Sequence, residues 1–304
     1  QPAIQSSLWD NSGANGAKAY SAEDGYHYVY FGEWNNKPIK WRVLAEPTVT
    51  YDGTGGFLLL TDEVVDTLAF GESADDYQWA SSKAKEWCND TFYNGAFSTL
   101  EQARIAAVPA TSDRGTTWEE SRPSTAANIT TNQMYKQYDN ILNGDKIFFP
   151  SWLDLFNTDY GFAPDGTNAY AAYKTRMAAP DTNTPYGPGG TAYWLRSYLT
   201  VSGSSYVGKI DEQGAYQGQA AWIPSGARPM LYLNTGRGYI YWASAAEGGK
   251  SADGMDSGLT AVPSFAVNEW KLTLKDESRD GKFKVTGRYS SGDYLYLDYE
   301  GAET

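Results

Sequence analysis

Histidine and cysteine each occur once in the 304 residues, as His27 and Cys88. One cysteine excludes an internal disulfide and any mechanism that needs a cysteine pair. One histidine, in the strand-like segment GYHYVYFG with no Ser-centred nucleophile motif beside it, leaves no material for a His-based triad, so His27 reads as structural or surface. Together they are too few for a zinc site. No run reaches the ~18 apolar residues that cross a bilayer, so no membrane insertion is expected of this stretch of chain. The opening QPAIQSSLWDNSGANG lacks the basic and apolar regions of a signal peptide, although a removed one would leave the same picture. Positive charge is also short, with 24 Lys and Arg against 37 Asp and Glu and a formal net charge of −13. A nucleic-acid partner, whose phosphates need a basic surface, is thereby disfavoured. The acids are scattered rather than blocked and serve solubility.

What the chain does have is aromatic side chains and glycine. The 24 Tyr, 11 Trp and 31 Gly point to a β-rich protein with many turns, because Tyr and Trp favour strands and half-wet surfaces. In PIKWRVL, Ile39, Trp41 and Val43 alternate with Lys40 and Arg42, the period of a half-buried strand, and the NNK before it is hairpin punctuation. FLLLTD (57–62) is a continuous apolar run, as in a strand buried on both faces. The period then becomes helical: Ala80, Ala84, Trp87, Cys88 and Phe92 predict one apolar face, with Cys88 a buried structural thiol. Ser98 with Glu101, and Ser151 with Asp154, are capping-box patterns that start two further short helices. Residues 111–140 and 157–190 read as polar, irregular loops. Strands resume with AYWLRSY, a hairpin SYVGKIDEQGAYQG turning at Glu212–Gly214, and ARPMLYLN. Residues 243–264 look like a linker, after which Trp270, Leu272 and Leu274 alternate with lysines and threonine. Three or four strands there suggest part of an Ig-like β-sandwich, and the stop just after a strand suggests a fragment of a longer polypeptide.

The ordered set VYFGEWNNKPIKWRVLAE, FLLLTDE, WASSKAKEWCNDTFYNGAFSTLEQARI, DKIFFPSW, YWLRSY, YVGKIDEQGAYQG and ARPMLYLN, over roughly residues 25–235, resembles an uncharacterised domain of secreted and surface proteins of Gram-positive, often gut-dwelling, bacteria. That domain in turn resembles the formylglycine-generating-enzyme branch of the C-type-lectin fold. The resemblance implies an α+β, C-type-lectin-like domain with long irregular loops over 1–235, followed over 236–304 by a linker and a partial all-β, Ig-like segment. It also implies an extracellular setting, secreted or on the cell surface. It implies no reaction: the formylglycine-generating enzymes depend on a cysteine pair, and here Cys88 stands alone.

Four aromatic residues, Tyr198, Tyr206, Tyr216 and Trp222, lie in or beside the loops between the late strands and are the candidate ligand-binding residues, since flat rings stack on sugars and anchor protein interfaces. Strand alternation places Arg196 on one face with Trp194 and Tyr198, away from Leu195. Arg196 and Arg228 read as structural clamps, five-donor guanidinium groups tying loop carbonyls to a carboxylate. Asp276, Ser278 and Asp280, with Gly281, have the one-three-five-six spacing of a calcium loop, but its twelfth position is Gly287 rather than Glu, so a polar turn is the stronger reading and calcium the weaker. The expected function is non-catalytic recognition of a glycan or a protein through aromatic loops. The alternatives are a glycan hydrolase using two carboxylates and a purely structural spacer of a surface protein. The sequence leaves the oligomeric state open.

Overall fold

The computed structural model describes residues 28–45, 56–110, 116–117, 136–138, 140–162, 176–178, 191–201, 203–212, 214–234, 240–244, 269–274, 284–291 and 294–300. The architecture is mainly sheet with a few short helices, an α+β arrangement of two larger sheets and one hairpin. His27 and the calcium-loop candidates Asp276, Ser278 and Asp280 lie outside the described residues.

The first sheet begins with β1 (Tyr28–Trp34) and β2 (Lys37–Ala45), antiparallel and joined by Asn35 and Asn36. Both asparagines have positive φ, 52° and 60°, which is what a two-residue primed turn requires and what Asn tolerates best among residues with a Cβ. β3 (Phe57–Thr61) pairs with β2 and is buried at all five positions, as its unbroken apolar run predicts. β13 (Met230–Leu233) follows β3. Its far edge is shared by two short strands, β5 (Ile105–Ala106) opposite Tyr232 and Leu233, and β8 (Ile147–Phe148) opposite Met230 and Leu231.

On its other side, β1 pairs in parallel with β15 (Glu269–Leu274), and β14 (Ile240–Ser244) pairs with β15. This departs from the expected division at residue 235, because two strands from beyond it complete the first sheet. The alternation of Trp270, Leu272 and Leu274 identified a strand correctly, but period alone does not say which sheet a strand joins. The remaining late strands, β16 (Lys284–Ser291) and β17 (Tyr294–Glu300), form a separate antiparallel hairpin. Among the described residues, then, the segment after 235 does not gather its strands into one sandwich.

The second sheet runs β11 (Tyr216–Gln219), β10 (Ser204–Ile210), β9 (Tyr193–Val201), β12 (Ser225–Ala227), β4 (Asp66–Leu68). β7 (Lys136–Tyr138) also pairs with β9, and β6 (Thr116–Thr117) with β7, so the span read as polar loop contributes two small strands.

Between the sheets in sequence lies a helical run: a 3-10 turn Trp79–Ser81, α1 (Lys83–Glu86), a π-helical stretch Trp87–Phe92 and α2 (Tyr93–Ala96). Ala84, Cys88 and Phe92 are buried as expected, but Ala80 is exposed and the inward residue of that turn is Trp79. The tighter 3-10 turn rotates the side chains out of the α-helical phase. The π-helical stretch places Asn89 so that its side chain acts as a strand edge for β8: Oδ1 accepts from Lys146 N (2.8 Å) and Ile147 N (3.2 Å), and Nδ2 donates to Ile147 O (2.9 Å). α3 (Thr99–Gln102) and α4 (Trp152–Leu155) both start with a reciprocal capping box, Ser98 with Glu101 and Ser151 with Asp154.

The core is strongly aromatic. Trp79 packs on Phe70 and Phe149, and Phe70 lies edge-on to Trp194, so the helical run, the 149 segment and β9 meet at one point. A second aromatic group, Phe31, Trp41, Phe92 and Phe97, fastens α2 to the first sheet.

Candidate functional site

Arg196 is 2% exposed. Its Nη1 donates to Phe149 O and to Asp154 Oδ2, each at 2.8 Å, while the guanidinium carbon sits 5.5 Å from the Phe148 ring centroid. Its backbone joins the same segment: Arg196 N donates to Pro150 O at 3.0 Å, and Arg196 O accepts from Asn140 Nδ2 at 2.9 Å. Ser197 Oγ accepts from Trp152 N at 2.7 Å. These bonds fasten residues 140–154 along the edge of β9, between the stretches paired with β7 and β12. The register explains why Trp194, Leu195, Arg196 and Ser197 are all buried. Tyr198 lies opposite Val207 and Trp194 opposite Lys209, so β9 carries two more residues than β10 over this span and strict alternation is lost.

Arg228 is fully buried and ties together three distant pieces of chain. Its Nε donates to Thr61 O (2.8 Å), and its Nη1 donates to Arg176 O (2.9 Å) and to Tyr193 Oη (3.1 Å). Tyr193 Oη in turn donates to Arg176 O at 2.6 Å. Burial pushes the Tyr193 phenol above its ordinary value, opposed by the nearby guanidinium groups of Arg228, Arg42 and Arg176. Burial pulls Arg228 below its ordinary value, with Tyr193 and Asp62 acting the other way. Two further buried arginines were not singled out from sequence. Arg42 pairs with Asp62 (Nε to Oδ1, 2.7 Å) and is only 7% exposed, so β2 is not the half-solvated strand its alternation suggested. Arg176 donates from Nε to Leu155 O (3.2 Å) and lies 3.8 Å over the Phe156 ring. A long basic residue looks the same in sequence whether it points outward or spans a core, so neither carried a signal.

The four aromatic candidates divide. Tyr198, Tyr206 and Tyr216 sit on strands β9, β10 and β11 rather than in loops, and all three are half-buried. Tyr198 packs on Tyr77, with ring centroids 4.9 Å apart. Tyr216 lies edge-on to Trp152 at 4.1 Å and covers Gly208, where a Cβ would come within 2.9 Å of the tyrosine ring. Tyr206 flanks Gly218, where a Cβ would lie 3.0 Å from Leu199. Trp222 alone of the four is in a turn, between β11 and β12. It is 49% exposed, Ile223 beside it is 45% exposed, and Pro224 is also exposed.

This turn is held in place from both sides. Ile223 N donates to Ala220 O (3.1 Å), Gly71 N donates to Ala221 O (3.1 Å), and Gln219 Nε2 donates to Ile223 O (3.2 Å) and Pro224 O (3.4 Å). Gln219 Oε1 is occupied by Lys209 Nζ at 2.6 Å, and Gln217 Nε2 by Asp211 Oδ2 at 2.6 Å. The result is a fixed apolar tip, Trp222–Ile223–Pro224, next to strand β11, whose middle residues Gln217 and Gly218 are exposed.

Residues 54–235, more than half of the chain, match a family described as a domain of unknown function, DUF6273. The chain belongs to the DUF6273 family. Comparison with curated proteins found no match, and neither did comparison with solved structures. The DUF6273 match takes in β3 to β13, and with them Arg176, Arg196, Arg228 and the Trp222 tip. It omits β1, β2, β14 and β15, which nonetheless complete the first sheet of the DUF6273 domain.

Within this domain Cys88 is fully buried, and burial, with the Asp145 carboxylate adding to it, pushes its thiol well above the ordinary range. Such a thiol is protonated and shielded, the reverse of an activated nucleophile. Among the described residues no group of three or more His, Cys, Asp or Glu side chains is placed to hold a metal ion. No described helix is long and apolar enough to cross a membrane.

Proposed function

We propose that this DUF6273 chain is a non-catalytic recognition module of a secreted or cell-surface bacterial protein, with a C-type-lectin-like core, binding a glycan or a protein. The observation that carries the reading is the fixed apolar tip Trp222–Ile223–Pro224. A tryptophan left half-exposed in a chain that buries most of its other described large rings is a poor choice for solubility and a good anchor for a partner. The buried arginines support the reading indirectly, because they spend their donors on carbonyls and carboxylates of the domain and so hold the loops rigid around that tip. Rigidity of this kind lowers the entropy cost of binding.

The carboxylate-hydrolase alternative draws no comparable support. Asp62, Asp145, Asp154 and Glu101 are buried and engaged, with Arg42, Lys85, Arg196 and the Ser98 and Gly32 amides respectively. Screening the whole chain on a glycan array and against immobilised extracellular proteins, with Trp222→Ala in parallel, tests the proposal. Binding that Trp222→Ala abolishes supports it; turnover of a glycan with no binding that depends on Trp222 removes it.

A further inference from the structure

We infer that the ligand is an extended polypeptide segment, which adds as a strand to the free edge of β11 and sets an apolar side chain on Trp222 and Ile223. This rests on the recognition reading above and narrows it to one class of partner. The edge can be read group by group. Asp211 N donates to Ala215 O at 2.8 Å, closing the β10–β11 turn, so Asp211 and Ala215 form a hydrogen-bonded pair. Pairs alternate along an antiparallel ladder. Lys209 with Gln217 and Val207 with Gln219 are therefore the next hydrogen-bonded pairs, and the amides and carbonyls of Tyr216 and Gly218 face away from β10. Gly218 is exposed, and among the described residues β11 pairs only with β10. The segment YQGQ carries no charge and no proline, the two commonest devices that keep an edge from accepting another strand.

The side chains around the tip argue for a peptide over a sugar. A sugar needs an aromatic face together with free, directional polar groups. Here the amides of Gln217 and Gln219 are already committed to Asp211, Lys209 and the carbonyls of the turn. What remains is apolar surface from Trp222, Ile223 and Pro224 beside unpaired peptide groups, the pairing that strand addition uses: main chain for affinity and a flanking apolar surface for selectivity. The net charge of −13 favours a segment flanked by Lys or Arg.

The test pans a random linear peptide library against the whole chain and runs the chain on a glycan array. The expected result is an enriched peptide with an apolar residue between basic flanks. Its affinity falls at least about tenfold with Trp222→Ala and with Ile223→Asp. N-methylation at alternate peptide amides abolishes binding in one parity and spares it in the other, the mark of a strand bonded along one edge. Glycan binding that depends on Trp222, with no peptide enriched, overturns this inference and leaves the recognition reading standing. A bound peptide indifferent to Trp222→Ala, or to the parity of methylation, overturns the inference alone. A dimer in sedimentation that Trp222→Ala converts to monomer replaces the peptide with a second copy of the chain and likewise overturns it. Silence toward both libraries with turnover of a substrate sinks both readings.

Discussion

Removing the guanidinium of Arg196 leaves Phe149 O without its donor and the Asp154 carboxylate without its counter-charge, with Asp154 only 4% exposed. Arg196→Ala is therefore expected to lower stability by about 2–4 kcal/mol, chiefly from the partners left unpaired. Arg196→Lys recovers part of this, because an ammonium can meet the carboxylate but lacks the planar fork that reaches the carbonyl as well. Thermal unfolding of both variants checks the pair, and an Ala variant melting like wild type would show that the clamp carries no weight. Cys88 gives a pH-dependent prediction. Its thiol in the folded state titrates well above its ordinary value of 9.0, so above that pH it ionises only in the unfolded chain. The folded state then holds the extra proton, and stability falls as pH rises past about 9. Urea unfolding of wild type and Cys88→Ala between pH 7 and 10 isolates the effect: the wild-type curve drops more steeply. At this scale the sequence was informative about Arg196, Arg228 and Cys88, whose apolar and aromatic neighbours marked them as inward. It was silent about Arg42 and Arg176, whose neighbours in the chain did not.

Elements set by local chemistry were legible, and elements set by packing were not. Both capping boxes formed where Ser98 and Ser151 announced them, and the Asn35–Asn36 turn formed where its residue types allow positive φ. Replacing Asn36 by valine, a β-branched residue that avoids φ near +60°, is expected to cost about 1–2 kcal/mol, measurable by denaturant titration. The π-helical stretch had no forecast in the sequence, since the apolar spacing of Ala84, Cys88 and Phe92 suits an ordinary helix. Its purpose emerges only with β8 in place, when Asn89 serves as the pairing edge for Ile147. Asn89→Ala leaves the Ile147 amide and carbonyl without their partners there, and about 2–3 kcal/mol of destabilisation follows. The same variant should speed amide exchange at Lys146 and Ile147 specifically, which separates loss of this edge from general weakening.

For the whole molecule, the first sheet draws β14 and β15 from beyond the DUF6273 match and seats β15 along β1. A chain cut after residue 235 would strip that partner away. β1 would then present a bare edge carrying Val29, Tyr30 and Phe31, residues that are buried in the intact chain. The shortened chain is expected to be less stable and to self-associate, where a true domain boundary at 235 would leave both properties unchanged. Light scattering and thermal unfolding of the two lengths give the answer. The linker-like stretch 243–264 misled the sequence reading because low complexity marks a segment without a core of its own, not the end of the domain that surrounds it.

The parallel pairing of Tyr28 with Glu269 has a kinetic consequence. Strand β1 emerges from the ribosome early and waits, half-matched, until β15 has been made. Closing so long a loop is entropically slow and delays completion of the sheet well beyond the assembly of its hairpins. During that interval the free side of β1 is the most adhesive part of the nascent chain, the place where a chaperone has most to protect.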